Sequence, residues 1–575
     1  MKSGKPTKQK RGAAASAFAV KPDPQRQLWL YALALAVSFI VLCQVYWPAM
    51  SGPFLLDDTY QPYMQPFYTT EASLKDWLVG VRPLLMFSYW LNFKQSGQET
   101  FGYHFGNVLL HFLNGILIFL AVRKILSWLK VNQSEILAIF AAGLFLFHPL
   151  QTESVSYVAS RSETLSVFFV LAAFVVFLYR KTTSVGWGST AIVLLIFGAA
   201  VLTKEHTAVL PALLLLTDYH WNPGFSFEGI KQNWKLYVPI VIGGLAGVAY
   251  VFSVLAGSMS AGFAMKDLTW YQYFFTQCRA IWVYVRLFLL PFGQNADYDF
   301  PISHSIVEHG AIFGLGALLA VSVAAWIYRR QYPLASYGWF TFLILLAPTS
   351  SFVPIRDPVA ERRLYLPFIG LLFITVEFLR RWKTSRTTMV TALGVVLLAE
   401  GVLSYQRNEL WGSAVAIWKD TAQKSPHKLR PQYQLAFVEF QQQSCSAAVD
   451  DYAKAAQIEP PSHDLLVDWA LAYDCAGQSD AAVAKLKQAA AVKPTAHAYS
   501  MLGREYGKMG KYPEALEALA KAAELDPSFA MTYYTRGAVY ESEGNKPQAI
   551  EEYRHALALD GHIQAARDAL QRLGQ

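Results

Sequence analysis

Two adjacent carboxylates, Asp57 and Asp58, follow Pro53-Phe54-Leu55-Leu56 in a stretch that also holds Tyr60, Tyr63, Phe67 and Tyr68. A carboxylate beside apolar sequence can take a proton from a hydroxyl, the base role in group transfer. Tyrosines can stack on a sugar face, and cations opposite can receive a phosphate leaving group, arginine offering the better fork. Such cations occur in three places: Arg82; Lys204-Glu205-His206; and the run Arg356, Glu361, Arg362, Arg363. A fourth segment carries His148, Glu153 and Arg161. Ionisable groups at membrane depth cost several kcal/mol unless paired or wet, so they mark functional sites by default. Each has a plainer reading beside it. The acidic pair can cap a helix; Lys204 to His206 can be a helix-end ion pair; Arg161 can pair with Glu153, and Arg362 with Asp357; and the 356–363 run can snorkel to an interface. No zinc site is indicated. His104 and His111 share a helix face but lack a third ligand, and the four cysteines, Cys43, Cys278, Cys445 and Cys475, contain no CxxC.

The elements that must position these groups are mostly membrane helices. Of 575 residues 54% are hydrophobic and 16% charged, and the mean hydropathy is +0.25, which excludes an ordinary soluble protein. The net charge of +8 is concentrated in residues 1–27, a basic tail with a balance of +6. Orientation by the positive-inside rule accounts for that tail without nucleic acid. The run 28–47 has the length of a span and no small-x-small cleavage site before Ser51, so it reads as a retained anchor. About eleven spans are expected within 28–404, with 77–93 and 271–291 as interfacial helices. With the N-terminus inside, the inner loops hold Arg123, Lys124 and Lys130; Arg180 and Lys181; Lys231 and Lys235; Arg329 and Arg330; and Arg380, Arg381, Lys383 and Arg386. An odd span count then places the C-terminal region outside, in a periplasm or an endoplasmic-reticulum lumen, with a bacterial inner membrane favoured.

Beyond 404 the composition turns to Ala, Glu, Lys and Gln. Pro460, Pro494 and Pro527 are separated by 34 and 33 residues, and Gly561 follows 34 later, the tetratricopeptide (TPR) period. Residues 405–427 read as a half-repeat connector and 428–575 as about four repeats with a capping helix at 562–573. The expected fold is therefore all-α, a polytopic membrane bundle followed by a TPR solenoid. Its groove suits extended polypeptide, although the sixth positions, Gln434, Asp468, Met501 and Thr535, provide no asparagine ladder. Cys445 and Cys475 fall at the same end of the stack, as a disulfide in an oxidising compartment or as two unrelated thiols.

In order, the chain presents a basic tail, an anchor, LLDD, RPLLMFSYWLN (82–92), YHFGNVLLHFLN (103–114), FHPLQTESVSYVASRSE (147–163), LTKEHTAVLPALLLL (202–216), DYDFP (297–301), FVPIRDPVAERRLYLP (352–367) and then TPR repeats. This order resembles the transmembrane-and-tetratricopeptide-repeat (TMTC) family of protein O-mannosyltransferases and its bacterial relatives, within the GT-C glycosyltransferase superfamily. The resemblance implies a GT-C-like bundle and inverting transfer of a mannose-like hexose from a polyprenyl-phosphate donor to Ser or Thr hydroxyls of a protein. No cofactor is expected, and a metal-free mechanism is favoured because the outer Arg and Lys can neutralise the phosphate, with Mg²⁺ or Mn²⁺ on the paired carboxylates as the alternative. The resemblance also implies Asp57 as first candidate for the base with Asp58 beside it. Donor phosphate would fall to Arg82, Arg161, Lys204, His206, Arg356, Arg362 and Arg363, and His148, Glu153, Glu205 and Glu361 would support them. Leu56 stands where the family has an aromatic, and the repeats are few. The expected partners are the lipid-linked donor, acceptor protein in the TPR groove, and the membrane. Two other readings compete: a non-catalytic TPR scaffold for envelope or secretion assembly, and a GT-C enzyme acting on lipid or polysaccharide.

Overall fold

The computed structural model describes residues 24–180, 183–256, 261–263 and 265–574. Residues 1–23 of the basic tail, and Lys181, lie outside them. The described chain is all-α, with one isolated bridge between Ala261 and Ile355.

Among the described residues, five helices are long and apolar enough to cross a membrane: Tyr31–Ala49, Thr100–Trp128, Val158–Leu178, Glu308–Ile327 and Arg386–Trp411. A sixth is obtained if Ser134–Phe147 and Pro149–Ser156, bent by 52° at His148, form one broken span. The expectation of about eleven spans is therefore corrected. The apolar runs at 188–203, 336–353 and 364–381 fold into Trp187–Val201, Pro333–Leu346 and Phe368–Leu379, helices of 15, 14 and 12 residues. At ~1.5 Å per residue these reach about 18 to 22 Å, short of a ~30 Å hydrocarbon core. The run at 207–219 is broken by a 3-10 turn, Glu205–Val209, ahead of the helix Leu210–Trp221. Pro333–Leu346 and Phe368–Leu379 are apolar because they pack within the bundle: Phe342, Leu345, Phe368, Leu372 and Val376 are all buried in its main core. Helix Trp270–Leu289, expected along an interface, likewise buries Tyr284 and Leu287 in that core. The odd-count argument for opposite termini falls with the span number.

Thr100–Trp128 is the central post, packed on Ser134–Phe147 and Arg161–Leu178. Small residues set the closest approaches. A Cβ on Gly338 would fall 2.4 Å from the carbonyl of Gly370, so helices 333–346 and 368–379 touch backbone to backbone. Lipid-facing character is clearest on Glu308–Ile327, where Phe313 is 81% exposed and Leu319, Val323 and Ile327 also face out.

Helix Arg386–Trp411 runs directly into Ala414–Lys424 and then four helical hairpins: 429–441 with 445–458, 463–475 with 479–492, 496–508 with 512–525, and 530–543 with 546–559. Gln564–Arg572 closes the stack. Alanines at 448, 455, 482, 489, 515, 522, 549 and 556 are fully buried, which lets paired helices approach closely. Cys445 and Cys475 are joined as a disulfide across the first two hairpins.

Candidate functional site

The segment after the first span turns at Leu56–Tyr60, a short 3-10 helix carrying both carboxylates. The turn separates them. Asp58 points inward, 1% exposed. Its Oδ2 accepts from the backbone N–H of Leu55 at 2.9 Å, and its Oδ1 from Ala159 N–H at 2.6 Å and the Tyr63 hydroxyl at 3.4 Å. Burial pushes its carboxyl up to about 7, against the pull of those donors. Asp57 points outward and is exposed, while its backbone N–H donates to the Tyr157 hydroxyl at 2.9 Å.

A cavity of about 70 Å³ lies in front of Asp57, between Leu56, Tyr157, Asp357, Arg362 and Arg430. Arg362 comes from the 3-10 turn Glu361–Leu364, some 300 residues away in sequence. Glu153 fixes it, accepting from its backbone N–H at 3.0 Å and from its guanidinium in a short ion pair. Glu361 faces the other way and organises the loop at 294–298, accepting from Asn295 N–H at 2.6 Å, Gln294 Nε2 at 2.9 Å and the Tyr298 hydroxyl at 2.7 Å.

A second charged group adjoins the first. Lys204 Nζ meets Glu163 at 2.5 Å and Ser162 at 3.1 Å, and His206 Nε2 lies 3.4 Å from the other oxygen of Glu163. Burial drives the His206 imidazole down to about 4, so it is neutral at pH 7. Arg82 holds Glu205 in a bidentate pair at 2.9 and 2.8 Å. Arg362 acts electrostatically on Glu163 and Lys204, so the two groups form one polar layer.

Four residues fall outside the cavity lining. Arg161 is fully buried and spends its donors on neutral acceptors: Asn107 Oδ1 at 2.8 Å, Ser88 O at 3.3 Å, Tyr103 O at 2.7 Å, and Asn92 Oδ1 in a short bond. It also lies over the rings of Tyr89 and Tyr103. It ties the helix Pro83–Ser96 to Thr100–Trp128 and does not line the cavity. His148 sits at the break of the bent pair, accepting from Leu150 N–H at Nδ1 and bonding Phe288 O through Nε2. Arg363 is buried and donates to the Tyr273 hydroxyl and the carbonyls of Pro358 and Asp357. Arg356 is exposed and makes no ion pair among the described residues.

Sequence reasoning missed the part played by the repeats. Arg430, in the first helix of the first hairpin, lines the cavity and forks Asp297 and Asp357; Lys428 pairs with the same two carboxylates at 2.5 and 3.2 Å. Asp357 is half-buried, which disfavours its charge, but Arg430 and Lys428 win and hold it down at about 2. Ser425 adds bonds to Asn295, Asp299 and the Asp297 carbonyl. The only signal in the sequence was the pairing of an acidic DYDFP loop with a basic start to the first repeat, KLR at 428–430.

Comparison with known proteins agrees with both halves. The tetratricopeptide repeat family matches residues 503–544 and 531–562. A protein O-mannosyl-transferase of Caenorhabditis elegans is 22% identical over 414 residues, covering 70% of this chain and 57% of that protein. Human TMTC1, also named a protein O-mannosyl-transferase, is 22% identical over 73% of this chain and 54% of its own length. Drosophila melanogaster Tmtc1 reaches 35% identity, over 23% of this chain and 15% of its length. The chain thus spans little more than half the length of the curated relatives it matches most broadly. At the level of the family it is related to the TMTC protein O-mannosyl-transferases, a membrane helix bundle joined to TPR repeats.

Proposed function

From that relationship and the cavity at Asp57, we propose that the protein is a membrane glycosyltransferase that moves a mannose-like hexose from a polyprenyl-phosphate donor to Ser or Thr hydroxyls of proteins. The observation that supports it is that Asp57, and not Asp58, shares a cavity with the Arg362 guanidinium. In the reaction, the acceptor oxygen attacks the anomeric carbon as its proton passes to Asp57. The bond from that carbon to the phosphate oxygen breaks, and polyprenyl phosphate leaves with the bonding pair. Arg362, oriented by Glu153, meets the phosphate from the cavity wall, and no metal is required on this reading. The reaction is proposed for the outer side of the membrane, with the N-terminal tail cytoplasmic and the repeats periplasmic or lumenal. The basic tail and the Cys445–Cys475 disulfide support that orientation.

One observation favours the scaffold reading. The cavity of about 70 Å³ is well below the ~300 to 1,000 Å³ usual for a small-molecule site, and Arg82, Lys204 and Arg362 are all engaged with carboxylates. A transferase must therefore open this site, whereas a scaffold need not. Truncation near residue 410 does not separate protein-directed from lipid-directed transfer, because it removes Arg430 from the cavity wall. The deciding experiment follows transfer of labelled sugar from a polyprenyl-phosphate donor to Ser/Thr-containing protein in washed membranes, comparing wild type with Asp57→Asn at matched expression. Transfer lost in the variant supports the enzyme; equal signals leave the scaffold.

A further inference from the structure

Repeat spacing places Arg430, Asp464, His497 and Met531 at equivalent positions, 34, 33 and 34 residues apart, each on the second residue of the first helix of a hairpin. These first helices lie side by side. Tyr433 donates to Asp468 in a short bond, Asp474 takes Arg504 and Lys508 at 3.2 and 2.6 Å, and Ser500 bonds Thr532 at 2.7 Å. They form the inner wall of the solenoid, the face such stacks use for extended ligands. The first residue of the series, Arg430, stands in the wall of the Asp57 cavity. The inner wall and the cavity are therefore continuous.

The charges along this wall are uneven. Arg430 is neutralised by Asp297 and Asp357, and Arg504 and Lys508 by Asp474 and Glu505. Asp464 and Asp468, in the hairpin next to the cavity, make no ion pair with a cation among the described residues, and Asp464 is exposed. His497, at the equivalent position of the next hairpin, is acted on by both Asp464 and Asp468 and, in the opposite sense, by His463 and Arg504, while its burial disfavours the charged imidazole. The wall thus offers uncompensated negative charge one hairpin from the candidate base.

We infer that the solenoid groove opens onto the Asp57 cavity and selects extended acceptor segments that carry a Lys or Arg seated on Asp464 and Asp468 when the acceptor hydroxyl reaches Asp57. The inference rests on the proposed transfer reaction for the identity of its occupant, an acceptor polypeptide. Charge complementarity commits it to a basic one. Hydrophobic recognition is secondary here, since the second positions are Arg, Asp, His and Met and the sixth Gln, Asp, Met and Thr.

The test uses the full chain in detergent or nanodiscs and fluorescent peptides, each with a single Ser in an uncharged background and one Lys, Gln or Glu scanned on either side. Binding is read by anisotropy and transfer by label incorporation from the polyprenyl-phosphate donor. An exposed ion pair contributes about 0.2 to 1 kcal/mol, so Lys peptides are expected to bind about 1.4- to fivefold tighter than Gln peptides at one spacing. The gain should shrink with salt. Asp464→Lys should reverse the preference towards Glu peptides, a rescue that a misfolded variant cannot show. Equal binding of the three peptides, no binding of any, or an Asp464→Lys variant without reversal overturns the inference. Transfer without charge preference refutes the groove and leaves the enzyme. Charge-dependent binding without transfer refutes the enzyme and leaves the groove.

Discussion

The division of labour between Asp57 and Asp58 predicts that one carboxylate controls chemistry and the other controls stability. Asp58 is 1% exposed, and its carboxyl is raised from 3.8 to about 7, first by burial. A carboxyl whose folded pKa lies above its unfolded value stabilises fully below the unfolded value and loses that contribution as pH rises through the folded one. The window here runs from about pH 4 to about pH 7. At ~1.4 kcal/mol per pH unit, the gap corresponds to about 4 kcal/mol, a figure that already includes the opposing bonds from Leu55 and Ala159. Asp58→Asn retains the shape and cannot ionise. Its unfolding temperature, followed by tryptophan fluorescence in detergent, should therefore depend less on pH than that of wild type. The two proteins should differ in opposite senses at the acidic and alkaline ends of the window.

Asp57→Asn should do the converse. Its side chain is exposed, so the melting curve and its pH dependence should match wild type, while transfer falls by about 10² to 10⁴, the usual worth of a positioned base. The reasoning is refuted if Asp58→Asn keeps the wild-type pH slope, or if the slope disappears instead in Asp57→Asn.

Glu153→Gln should leave Arg362 buried with its main counter-ion gone and destabilise by about 3 kcal/mol, the low end for a broken buried pair because Arg362 retains 27% exposure; thermal unfolding should show part of the loss recovered in the double variant with Arg362→Gln. Arg161→Lys cannot reproduce the fork to Asn107, Ser88 and Tyr103, so it should lower the unfolding temperature while leaving the donor KM of the remaining folded enzyme unchanged. Asp297→Asn should release Lys428 and Arg430 and speed limited proteolysis between the bundle and the repeats, measured by fragment appearance on gels. Cys445→Ser opens a link across a separation of 30 residues, which chain entropy values at about 3 to 4 kcal/mol; the repeat region should unfold at a lower temperature, as it should in wild type after reduction.

The repeats were legible residue by residue because their packing is local: each buried alanine meets a partner within its own hairpin or the next. The bundle was legible as apolar and helical but not in its span number. A hydropathy window registers apolar sequence, and the interior of a large bundle is as apolar as lipid, so helices such as Phe368–Leu379 look like spans until their 12-residue length is seen. Arg161 shows the same limit for charge. Its position beside apolar sequence was visible, but three of its acceptors are the Asn107 side chain and the carbonyls of Ser88 and Tyr103, and carbonyls leave no mark in the sequence.

The four charges at 297, 357, 428 and 430 were each visible, yet assigned to different parts of the chain. Their convergence changes what the repeats are for. A solenoid tethered only through its connector would raise the local concentration of acceptor and nothing more. One whose second residue walls the cavity sets the path by which the acceptor arrives, so groove and carboxylate must be complementary to a single polypeptide segment. Asp297, Asp357 and Arg430 line that cavity while they clamp the first hairpin together with Lys428, so any change in the width of the cavity must also move the repeats.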